Sequence, residues 1–132
     1  MDRTLSKSSG KNQHLLETEA KWKQLLAHIA KDFGGEPDLQ AVLFLVGVQE
    51  LGKGNRKYNK DQKMEVFHIA ICTLLEPYGY YEFEGHDADG FPHWKQTDKL
   101  PSLNAGQQMF VMKEALISYF SDVYPIEAIT EL

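Results

Sequence analysis

The sequence predicts a mainly α fold: four helices forming a bundle-like single domain, with a small two-stranded β-hairpin inserted before the last long helix. Three observations carry this. In four separate stretches, apolar residues recur at steps of three, four or seven, which keeps them together on a helix. Gly or Pro stands between those stretches. Between the third and fourth, the spacing switches to two and brackets an Asp-Gly dipeptide of the kind favoured in hairpin turns.

Met1 to Gln13 is rich in Ser, Lys and Asn and has no apolar h-region, so it reads as a flexible N-terminal tail, not a signal peptide. Residues 14–132 then suffice for one domain. In the first helix Leu15, Trp22, Leu26, Ile29 and Phe33 share a face, and Gly34-Gly35 closes it. Pro37 suits the first turn of the second helix, about Asp38 to Leu51, which is apolar nearly all round and therefore expected to be buried on most sides. A strand over Val42 to Val48 competes on composition, but the run continues through Leu51 without a turn signal.

Asn59 with Gln62 resembles a capping box opening the third helix, whose face is read as Met64, Phe67, His68, Ile71, Leu74 and Leu75 before Pro77 stops it. The last long helix starts near Asn104, again with a Gln three positions on, and presents Met109, Met112, Leu116, Tyr119 and Phe120. Pro125 ends its extension, and Ile126 to Leu132 reads as a short helix or docking tail. In the hairpin, about 80–96, Tyr81, Phe83 and Trp94 fall on one face and Glu82, Glu84, His93 and Lys95 on the other. A four-residue loop, Asp87 to Gly90, pairs Glu84 with His93 and Glu82 with Lys95. A two-residue turn pairs Glu84 with Lys95. A glycine-bulge turn breaks these matches and ranks below both, and Pro92 marks an edge or bulge.

Net charge is −5, unevenly spread: residues 1–75 carry a net of +2 and residues 76–132 a net of −7. A basic island, Lys53 to Lys63, sits on an acidic chain, which is not the broad positive field of a duplex-binding protein. No apolar run approaches the roughly 18 residues of a membrane span. With Cys72 as the single cysteine no internal disulfide can form, which fits a cytoplasmic location.

Four patterns invite a chemical reading. Gly47-Val-Gln-Glu-Leu-Gly52-Lys53 has most of the spacing of a phosphate loop, but Gly54 stands where a Ser or Thr should hold magnesium. It reads better as the end of a buried helix, with Gly47 allowing close packing and Gly52 as the cap. Glu65 and His68 share a helix face as in di-iron bundles, yet no second such pair exists. With Glu50 they are the metal candidates, and no metal or cofactor is expected. Asp87-Ala-Asp89-Gly90 lacks the remaining ligands of a calcium loop and reads as a turn; His86 and His93 flank it. Neither Cys72, Ser102, Ser118 nor Ser121 has the surroundings of a nucleophile.

The functional expectation is a small non-catalytic binding or regulatory domain that meets a protein or anionic partner. One contact is the basic loop, with Lys53, Arg56, Lys57, Tyr58 and Lys60. The other is the hairpin, with Tyr80, His86, Asp87, His93 and Trp94 beside Tyr78. Self-association through the second helix or the methionines of the last is also expected. The competing expectations are a metal-dependent helical enzyme using Glu50, Glu65 and His68, and a nucleotide-binding protein using Gly47 to Lys53.

Overall fold

A computed structural model describes the backbone of residues 2–52 and 57–124, with side chains from residue 13 onward. The fold is mainly α, with four helices and a two-stranded antiparallel sheet placed before the last of them. The helices are α1 (Asp2–Phe33), α2 (Leu39–Leu51), α3 (Lys60–Leu75) and α4 (Ala105–Phe120); the strands are β1 (Tyr81–His86) and β2 (Pro92–Gln96). The chain falls into two compact units, one of Met1–Glu36 with Leu116–Leu132 and one of Pro37–Ala115.

In the first unit α1 begins at Asp2, so the segment expected to be a tail is helical. The physical reason is propagation: once a helix is nucleated, each added residue gains a hydrogen bond, and no proline interrupts this stretch. Trp22, Leu25, Leu26 and Ile29 are buried, as is Leu116 near the end of α4. The expected stripe is right at its centre and wrong at its ends: Leu15 is 46% and Phe33 63% exposed. Phe33 is the last helical residue, beside Gly34, which takes φ 81° and returns its N–H to the Ala30 carbonyl.

After α4 the chain turns, and Tyr124 donates its hydroxyl to Asp32 while its ring stacks on His28 at 5.4 Å. That hydrogen bond to a carboxylate, with burial and the Asp32 charge behind it, pushes the Tyr124 hydroxyl up to about 12. A raised pKa means that the contact is fully present below the ordinary tyrosine value near 10 and is lost as pH rises through about 12. In an ultraviolet titration of the tyrosines, a late step at about 12 is expected from Tyr124. Tyr124→Phe should remove that late step. Pro125 and Ile126 to Leu132 lie outside the described residues.

The second unit is built on α2 against α3. Asp38 caps α2, its carboxylate accepting the Ala41 N–H at 2.8 Å, and Gly52 closes it at φ 70°. Pro37 therefore stands before the cap, not in the first turn. Val42, Leu43, Val46, Gly47 and Leu51 are buried. Gly47 is the point of closest approach: a Cβ there would lie 2.6 Å from Val66 Cγ1 and 2.9 Å from the Val66 carbonyl carbon.

The Asn59–Gln62 capping box of α3 is complete in both directions, at 2.8 and 3.0 Å. The buried face of α3 is rotated from the expected one. Val66, Ile69, Ala70 and Cys72 are inside with Leu74 and Leu75, whereas Met64 is 65% exposed and His68 lies at the surface. An apolar helix with two usable faces is oriented by what packs on it, and here the stripe through Val66 meets α2. A 3-10 turn, Glu76–Tyr78, carries Pro77 out of α3 and ends at Gly79, φ 82°.

Glu82 pairs with Lys95 and Phe83 with Trp94, the register of the four-residue loop. Beyond them the register shifts: Gly85, not Glu84, faces His93, and His86 faces Pro92. The shift lies within β1, between Phe83 and Gly85, and is not the glycine-bulge turn weighed for the loop. Gly85 has φ 118°, a conformation other residues rarely adopt. Asn104 and Gln107 cap α4 reciprocally at 2.8 and 3.0 Å, as at α3. Ala115 and Leu116 are its buried residues, while Met109 is half-exposed.

Candidate functional site

The hairpin is held from both ends. At its tip Asp87 organises the loop: one carboxylate oxygen accepts the N–H groups of Asp89 and Phe91 at 2.9 and 3.0 Å, and the other meets His93 Nε2 at 2.8 Å. The loop closes with Asp87 donating its N–H to the Phe91 carbonyl. The His93 hydrogen bond first, and those backbone donors next, hold the Asp87 carboxyl below its ordinary range. Asp87→Ala removes all three. The Asp89 and Phe91 amides are then expected to exchange faster, on the order of tenfold each, because each loses a hydrogen bond. Hydrogen exchange followed by NMR measures this.

At its base Trp94 donates its indole N–H to Glu76 at 2.7 Å, and Thr97 ties back to the Gly79 carbonyl at 2.7 Å. Trp94 also packs, partly buried, on a cluster of Leu51, Tyr58, Val66, Ile69 and Phe91. Its ring is 5.4 Å from that of Phe83, which is 48% exposed and makes a second edge contact with His86. An anchored ring and an exposed ring thus sit side by side. Tyr78 and Tyr80 lie together at 5.6 Å before β1. Burial, then Glu114, raise the Tyr78 hydroxyl.

Between the 3-10 turn, β1 and the end of β2 lies a depression of about 330 Å³ lined by Glu76, Gly79, Tyr81, Glu82, Phe83, Thr97, Asp98 and Lys99. Three carboxylates against one amine make it acidic, and two aromatic rings are in its wall. That chemistry suits a cation: carboxylates pair with an ammonium or guanidinium, and a ring face attracts it. Sequence reading placed Tyr80, His86 and His93 on the contact surface. It missed Glu76, Glu82 and Asp98, although the acidic bias of residues 76–132 was the available signal.

The expected basic site is divided. Lys53 and Arg56 lie outside the described residues, and Lys57 and Lys60 are exposed. Tyr58 is a correction: only 8% exposed, it packs with Leu51, Val66, Ile69 and Phe91 and meets the Phe44 ring edge-on at 5.8 Å. A ring used as core is not available for stacking on a base. Its position between charged residues hid this, because its cluster is assembled from α2, α3 and the hairpin.

The metal candidates are not brought together. Among the described residues no three His, Cys, Asp or Glu side chains gather as a metal would need, and Glu50, Glu65 and His68 are all at the surface. His68 instead lies 3.4 Å from the Cys72 sulfur and edge-on to Tyr81 at 6.4 Å. Burial, with Glu76 adding to it, pushes the Cys72 thiol up to about 11, so at neutral pH it is a protonated core thiol. The nucleotide reading fails on backbone geometry. Gly47 to Leu51 is helical and Gly52 is its cap, so these amides do not curl around a phosphate. Lys53 itself lies outside the described residues.

Compared with known proteins, the chain matches no family model, no curated protein and no solved structure. No helix among the described residues is long and apolar enough to cross a membrane.

Proposed function

We propose that this chain is a small non-catalytic binding domain whose hairpin receives a basic segment of a protein partner. The observation that carries this reading is the acidic, aromatic depression at the hairpin base, where Glu76, Glu82 and Asp98 stand with Tyr81 and Phe83. Charge supports it further: residues 76–99 hold six acidic and two basic side chains. Rigidity supports it too, since the Asp87 loop and the Trp94–Glu76 bond fix the strands before a partner arrives, reducing the ordering cost of binding.

A lysine- and arginine-rich decapeptide, followed by fluorescence anisotropy, is expected to bind more tightly than a glutamate-rich one, and less so as salt rises. Glu82→Lys with Asp98→Lys should weaken it by on the order of tenfold or more. Equal affinity for the two peptides, or no loss in the double variant, would end this reading. Exposed Lys57, Lys60 and Lys63 make a second copy one source of the basic segment. In that case the wild-type chain self-associates at low salt and the double variant does not. The same lysines offer an anionic partner a contact of its own.

A further inference from the structure

A second cavity, of about 300 Å³, opens within the Pro37–Ala115 unit between α2, α3, the start of β1 and the first turns of α4. Its wall differs from that of the acidic depression. Eight of its eleven lining side chains are aliphatic, Leu43 and Ile71 from the helical core and Val111 and Met112 from α4 among them. Tyr80 and Tyr81 are its two hydroxyl-bearing lining residues. No charged residue lines it. Gln108, the remaining polar one, donates an amide N–H to the Leu103 carbonyl at 3.0 Å and so braces the wall.

We propose that this cavity is a binding site for a compact apolar small molecule carrying one hydrogen-bond acceptor. Size sets the class. An apolar cavity of about 150 Å³ holds benzene, so one of twice that volume takes about two fused rings or the equivalent aliphatic bulk. It also stands at the lower end of the roughly 300–1,000 Å³ found for ligand pockets. Chemistry sets the rest. Water in such a lining finds few partners and is readily displaced, and a tyrosine hydroxyl can donate to a single acceptor and fix the ligand's orientation. The lack of a charged wall disfavours an ionised ligand. This cavity and the hairpin depression share Tyr81 but no other lining residue, and the proposal stands whether or not the depression binds a basic segment.

The test uses the full chain with naphthalene and 2-acetylnaphthalene, two fused rings without and with a carbonyl acceptor, followed by ligand-observed NMR. Both are expected to bind, the ketone about threefold to tenfold more tightly, the range one net hydrogen bond allows. Tyr80→Phe with Tyr81→Phe should abolish that preference and leave naphthalene binding in place. Val111→Trp should fill the cavity and abolish both, with helical circular dichroism retained; Ile71→Phe is the milder filling variant should the first fail to fold. Absence of binding to the wild-type chain overturns the proposal. So does binding that folded filling variants leave unchanged.

Discussion

Gly47→Ala is expected to destabilise the chain by about 2–3 kcal/mol, although alanine is the better helix former by roughly 1 kcal/mol. The added methyl would meet the Val66 backbone and Cγ1 at 2.6 Å or less, and a backbone carbonyl cannot rotate away as a flexible side chain can. The two helices must therefore separate, which loosens contacts around Val46 and Val66, both fully buried. Steric cost thus exceeds the gain in propensity. Chemical denaturation followed by circular dichroism measures the loss. A variant as stable as the parent would show that α2 and α3 stand further apart.

Leu25→Ala should cost more, about 3–4 kcal/mol, within the range for emptying a leucine site that cannot collapse. Leu25 is 0% exposed and stands on α1 beside Leu26 and Ile29, which are also buried. Its position was not among those picked from the sequence, because the chosen stripe ran through Trp22, Leu26 and Ile29 and passed one residue to its side. Leu15→Ala, on the same helix but half-exposed, is the control and should cost less than 1 kcal/mol. Equal losses at the two positions would show that α1 is buried on a different face.

What could be read from the sequence was local. Asn59 with Gln62 and Asn104 with Gln107 act over three residues, so their spacing already contains the interaction. The hairpin was legible for the same reason up to the pairing of Phe83 with Trp94. Gly85 broke the pattern, since a glycine in a strand does not announce whether it will bulge. Tyr58 and Phe91 were opaque because they lie far apart along the chain and join one cluster with Leu51, Val66 and Ile69 only once it has folded. The acidic depression was opaque in the same way: Glu76, Glu82 and Asp98 come together only after the 3-10 turn and the hairpin have folded back.

The chain contains two tryptophans, and each compact unit holds one. Trp22 is buried along α1 in the first; Trp94 is hydrogen-bonded to Glu76 in the second. The molecule therefore carries a native optical reporter in each half, with no label required. Trp94→Phe leaves emission from α1 alone, and Trp22→Phe leaves emission from the hairpin alone. Melting curves recorded on the two variants follow each unit by its own light. Because Trp94 lies next to Phe83, the same signal is expected to change if the proposed basic segment binds at the hairpin base.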